Sequence, residues 1–134
     1  MRRTQVRELV HAGMTVGFHT YRHDPMTGLS DTQLADALRV GRNELEEVTG
    51  APVEVIGYPH GRADERVATA ARSAGFRFGY CTRRVPVTPK SSPWLLGRFG
   101  PSLRSVGALA LELAFTLVKR ESARPSSAPE RAPS

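Results

Sequence analysis

A single cysteine, Cys81, leaves this 134-residue chain without any intrachain disulfide, so no cross-link staples it and its compartment cannot be read from cysteine usage. Long apolar runs are also missing. The segment after Met1-Arg2-Arg3, Thr4-Gln5-Val6-Arg7-Glu8, lacks the ~7–15-residue apolar core of a signal peptide. The longest apolar stretch, residues 106–118, is interrupted by Glu112 and Thr116 and falls short of the ~20 residues that cross a bilayer, so it reads as a buried or docking helix. Aromatics number nine and lysines two; the other seventeen of the nineteen cations are arginines spread along the whole chain. A single-stranded nucleic-acid groove interleaves aromatics with its cations. The net charge of +6 therefore reads as a solvated basic surface, and no nucleic-acid partner is expected. Length excludes a complete eight-stranded (β/α) barrel, which takes ~250 residues and seldom fewer than ~200. What remains, 40% hydrophobic and 24% charged residues, is ordinary globular composition for one domain at most, or a piece of one, with Cys81 a small buried hydrophobe.

Hydrophobic spacing sets out an alternating series of elements. Val6, Leu9 and Val10 fall at helical intervals and Gly13 stands where a left-handed cap ends a helix. Residues 14–18 read as a short buried strand. Ser30 with Gln33 forms a capping-box pattern ahead of Leu34, Leu38, Gly41, Leu45 and Val48, one long helix closed by Gly50. Val53 to Gly57 reads as a second strand and Tyr58-Pro59-His60-Gly61 as a turn. Asp64 caps a helix with Val67, Ala70, Ala71 and Ala74 on its inner face, and residues 76–82 are a third strand candidate. Such alternation at short spacing argues for parallel strands joined by crossover helices, the α/β class. Residues 85–93, with three prolines, read as a loop; Trp94-Leu95-Leu96 is a last short strand and 105–120 a final helix. The Pro-, Ser- and Ala-rich residues 121–134 cannot offset their ordering entropy by burial and are expected to be disordered.

Three of the four histidines fall at the C-terminal ends of predicted strands, the edge at which α/β folds build their sites. His19 and His23, four apart, are near enough on one turn to reach a common metal, although a catalytic zinc takes three protein ligands. In the turn 58–61, Pro59 fixes the backbone and Gly61 allows close approach, so an exposed backbone N–H is the contribution to expect there. His60 itself reads as a loop side chain and His11, beside the first cap, as solvent-facing.

Taken in order, these segments resemble the polysaccharide deacetylase family, the NodB homology domain of carbohydrate esterases. The residues that carry the likeness are Leu9-Val10-His11-Ala12-Gly13-Met14-Thr15-Val16-Gly17-Phe18-His19-Thr20-Tyr21-Arg22-His23, with its H-[ST]-x-x-H pattern; Leu29-Ser30 and the helix ending Thr49-Gly50; Gly57-Tyr58-Pro59-His60-Gly61; and Ala71-Arg72-Ser73-Ala74-Gly75-Phe76. The likeness covers residues 5 to 100. It implies a partial, distorted, TIM-like (β/α) barrel over residues 1–120. It also implies an acetylated glycan as substrate, hydrolysis of the N-acetyl group of an amino sugar, and a divalent metal, zinc above all. By that resemblance His19 and His23 are metal ligands, the backbone N–H of His60 holds the oxyanion, and Tyr58, Pro59 and Gly61 line the substrate.

Other family features are missing. The Thr-Phe-Asp-Asp segment, which carries the base and third ligand, lies upstream of the histidine pair in the family; eighteen residues precede His19 and none is Asp. Asp24 stands beside His23 by proximity alone. The family's Arg before the turn is Gly57, its turn tyrosine is His60, and no histidine follows His60 to act as acid. The expectation is therefore the C-terminal part of such a domain, truncated and inactive, with a non-catalytic carbohydrate-binding remnant as the alternative and a basic nucleic-acid-binding protein as the last rival. Uncovered apolar faces would favour self-association. Localisation stays open, because relatives act mostly outside the cytoplasm or at the cell wall while this chain shows no signal peptide.

Overall fold

The computed structural model of the protein describes residues 2–98, 100 and 105–122. Helix α1 (Arg3–His11) stops where the sequence places its stop: Gly13 takes φ +81, the left-handed conformation open to glycine without steric cost. The strand expected over residues 14–18 shrinks to one contact. Phe18 alone pairs, donating its N–H to Val55 O at 2.8 Å and accepting from Gly57 N–H at 2.9 Å in a parallel bridge with Ile56. Met14 is 58% exposed, so only the Phe18 end of this segment has apolar contacts to hold it in place.

The single long helix expected after Ser30 is two helices, α2 (Asp31–Arg39) and α3 (Arg42–Thr49). Their start matches the sequence reading: Gln33 N–H donates to Ser30 Oγ at 3.3 Å and Ser30 N–H to Gln33 Oε1 at 2.9 Å. The break has a local cause, because Val40 is extended with ψ 124 and Gly41 is left-handed with φ +83. Leu34, Leu38 and Val48 are nonetheless all buried, so the kink lets two short helices each present a face inward.

Three parallel strands, β1 (Val55–Gly57), β2 (Phe78–Cys81) and β3 (Leu96–Gly97), lie in the order β1-β2-β3. Val55 pairs with Phe78 and Tyr80 with Leu96, and helix α4 (Glu65–Ser73) carries the chain from β1 to β2. Asp64 caps α4 as expected, Oδ1 accepting from Val67 N–H at 2.8 Å, and Val67, Ala68 and Ala71 are buried. Among the described residues this sheet is not closed into a barrel, so the fold is the α/β, partial and distorted (β/α) type that the sequence reading expects. Ile56, Tyr58, Val67 and Phe76 are fully or almost fully buried in one core with Met26, which enters from a one-turn helix at Met26–Gly28 that the sequence did not signal. Complete burial of a side chain of that size is worth ~1.5–3 kcal/mol, so Met26 fixes the loop that follows the histidine pair. Cys81 is fully buried, as expected.

Much of the basic charge serves the fold. Arg42 donates from Nε to Glu46 Oε1 at 3.1 Å and from its terminal nitrogen to Ala74 O, with its guanidinium 4.2 Å from the Phe76 ring centroid. Arg66 donates to Asp31 Oδ1 at 2.6 Å and to Leu29 O at 2.7 Å, tying α4 to the start of α2.

Met1–Phe99 is one compact unit and Gly100–Ser134 a second. In the second, α5 (Val106–Ser122) forms as expected, but Val106, Leu111 and Phe115 are exposed rather than buried. No described helix is long and apolar enough to cross a membrane. The tail expected over 121–134 lies outside the described residues apart from Glu121 and Ser122, which belong to α5.

Candidate functional site

His19 directly follows the Phe18 bridge, and the Tyr58–Gly61 turn directly follows β1, so one pairing brings both segments to the same edge of the sheet. His19 Nδ1 lies 2.6 Å from Gly57 O. A carbonyl only accepts, so the proton is on Nδ1 and the lone pair on Nε2. His23 Nε2 is 3.1 Å from that lone pair and donates to it. His60 joins from the other segment: its ring centroid is 4.6 Å from that of His23, edge to face, and the His19 and His23 rings stand 4.8 Å apart in the same way. The turn read as supplying only backbone therefore also supplies a third imidazole.

Backbone strain gathers at this edge. Thr20, His23 and His60 have φ of 54, 59 and 56, the left-handed region that side chains avoid at a cost of ~1–2 kcal/mol each, and they are the non-glycine residues so placed among those described. Strain of this kind persists where the surrounding structure enforces it, commonly at ligand sites. Part of the enforcement is visible. His23 N–H donates to Thr20 Oγ1 at 3.2 Å, and Gly61, with φ +64, leaves no room for a Cβ, which would come within 2.2 Å of the Thr82 side chain.

The four residues of the turn divide by exposure. Tyr58, Pro59 and Gly61 are buried and His60 is exposed. Tyr58 donates its hydroxyl to Trp94 O at 2.8 Å, and burial pushes its pKa well above the usual 10.0, with Cys81 adding to the shift. Its side chain is thus turned into the core, with its hydroxyl engaged there. The His60 backbone N–H has no acceptor among the described residues.

A metal does not fit these residues. His19 and His23 present their Nε2 atoms to each other, His60 stacks edge-on against His23, and Asp24 joins no cluster; among the described residues no group of three His, Cys, Asp or Glu could hold a metal ion. The expected zinc is corrected on that ground. Two donors fall one short of the three protein ligands of an open catalytic zinc site. The physical reason is the missing carboxylate partner, which proximity of Asp24 in sequence does not supply.

Hollows flank the cluster on one side. One of about 310 Å³ includes Phe18, His19, Tyr21 and Leu45 in its lining, and a second of about 320 Å³ includes Tyr21, Arg22, Asp24 and Gln33. A hollow of about 910 Å³ between α2, α3 and α4 has no histidine in its lining and belongs to the helical side of the fold.

Known proteins share the family and the fold of this chain. The polysaccharide deacetylase family matches residues 1–79. YxkH of Bacillus subtilis, named as a polysaccharide deacetylase, is 24% identical over 114 residues, which are 75% of this chain and 41% of that protein. In fold, the chain is similar to the Streptococcus pyogenes deacetylase PplD in complex with acetate, with a TM-score of 0.75 at 18% identity over 87% of this chain and 50% of that one. It is also similar to a polysaccharide deacetylase of Bacillus cereus, with a TM-score of 0.68 at 22% identity over 84% and 36%. The chain thus spans half or less of the length of these relatives. The expectation of a C-terminal part alone is corrected, because the family match occupies the first 79 residues of this chain and the fold match most of it. The chain belongs to the polysaccharide deacetylase family.

Proposed function

We propose that this chain recognises an acetylated glycan at the C-terminal edge of its sheet without hydrolysing it. One observation carries the reading: three imidazoles and three strained residues converge there, and no carboxylate joins them among the described residues. Amide hydrolysis requires a base for the attacking water and an acid for the leaving amine. Here the facing nitrogens of His19 and His23 are engaged with each other, and Gly57 O holds the remaining His19 proton. Binding makes smaller demands. The open N–H of His60 can donate to an acetamide carbonyl, and the exposed imidazoles can exchange hydrogen bonds with sugar hydroxyls.

Membership of a family named for polysaccharide deacetylation supports a glycan as the ligand class, and loss of groups that act as a unit costs orders of magnitude in rate. The test pairs calorimetric titration of the purified chain with an acetylated chito-oligosaccharide and an assay for acetate release from the same oligosaccharide. Saturable binding with no more than trace acetate is expected. Acetate release above trace would restore the enzymatic reading, and absence of binding would remove the glycan from this site.

A further inference from the structure

The geometry points to a subsite for one neutral sugar ring in the hollow beside Tyr21, next to the histidine cluster. This rests on the glycan reading of the site and adds where and how a sugar is held. Tyr21 is 76% exposed, an unusual position for a large aromatic. A Cβ built on Gly41 would meet Tyr21 Cβ at 3.5 Å and Cδ2 at 3.6 Å, so the side chain stands beside the turn between α2 and α3. Thr20 and Tyr21 line both flanking hollows, and the one on the cluster side includes His19. A glycan with one ring in the outer hollow therefore runs across Tyr21 toward His19.

The chemistry of the outer hollow selects an uncharged polyol. Its volume of about 320 Å³ lies at the small end of the ~300–1,000 Å³ of ligand pockets and suits a single ring. Val40 and Ala37 give it apolar surface, and Tyr21 offers an aromatic face for the C–H face of a pyranose. Its charged groups balance: Arg22 and Arg39 against Asp24 and Asp36, with Arg39 joined to Asp36 at 3.2 Å. Arg22 and Asp24 make no hydrogen bond within the described residues, and Gln33 uses its carbonyl oxygen on Ser30 N–H, leaving its amide nitrogen free to donate. Donors and acceptors without net charge suit hydroxyl and acetamide groups better than a phosphate or a polyanion, which would call for one sign of charge.

The test is titration of the full chain with chitotetraose by calorimetry and by nitrogen-15 NMR, comparing wild type with Tyr21→Ala, Tyr21→Phe and Val40→Trp. Tyr21→Ala should weaken binding about tenfold and Tyr21→Phe less than about twofold, because the ring supplies the contact. Val40→Trp, which fills the hollow from an exposed position, should weaken it at least tenfold and decides the matter should Tyr21→Ala fail to fold. The Gln33 side-chain amide should shift in wild type, and affinity should hold as salt rises from about 50 to 500 mM. Wild-type binding that survives both Tyr21→Ala and Val40→Trp, with shifts confined to residues 58–61, would overturn the subsite and leave the glycan reading standing. A wild-type chain that does not bind chitotetraose would overturn both.

Discussion

Tyr58 ties the turn that carries His60 to the far side of the sheet, and replacing it with phenylalanine tests that tie. Its hydroxyl donates to Trp94 O at 2.8 Å, the residue is fully buried, and the hydroxyl lies so close to Gly79 that a Cβ there would come within 2.4 Å of it. Tyr58→Phe removes the donor and leaves the Trp94 carbonyl unpaired, a loss of ~1–3 kcal/mol that lowers Tm by several degrees in a unit of this size. The pH dependence is more diagnostic. Burial first, and Cys81 second, hold the Tyr58 phenol above its ordinary value of 10.0. The unfolded chain therefore releases this proton at a lower pH than the folded one does. The contribution is complete below pH 10 and is lost as pH rises above it, at ~1.4 kcal/mol per unit. Urea melts at half-unit steps from pH 8 to 11.5 should show a steep decline for wild type and a shallower one for Tyr58→Phe. Parallel curves for the two proteins would refute the buried phenol, and an unchanged midpoint at pH 8 would refute the hydrogen bond.

Gly61→Ala combines a left-handed φ of +64 with a Cβ driven to within 2.2 Å of Thr82, so a loss of ~2–4 kcal/mol is expected in chemical denaturation. A loss below ~1 kcal/mol would show that the turn relaxes freely. Zinc titration of the chain against a chromophoric chelator should give no submicromolar affinity, because His60 stacks edge-on against His23 and leaves His19 and His23 one ligand short. Submicromolar binding abolished by His23→Ala would reveal a third donor and reverse the conclusion that a metal does not fit.

The legible parts of this fold are those decided within a few residues. Gly13 ends its helix in a left-handed conformation, Ser30 and Gln33 form their reciprocal box, and Asp64 caps α4, as the local chemistry of each requires. The errors arose where neighbours distant in sequence decide. Gly41 fits the helical periodicity yet takes φ +83 and splits the helix, because the two halves each bury their own leucines or valine. Residues 14–18 have strand composition but pair only at Phe18, since β1 itself spans three residues. Met26 showed no periodic signal and proved to be fully buried.

The site divides along the same line. Placement of His19, His23 and His60 at the ends of strands, the α/β class and the family likeness follow from the sequence, because strand order and turn chemistry are local and sequential. That His60 stacks on His23, that Tyr58 turns inward to Trp94 and that Tyr21 stands between two hollows was decided only by tertiary structure. The physical reason is that hydrogen-bond partners and burial belong to residue pairs tens of positions apart. His19 and Gly57 are joined across 38 residues, and Tyr58 and Trp94 across 36.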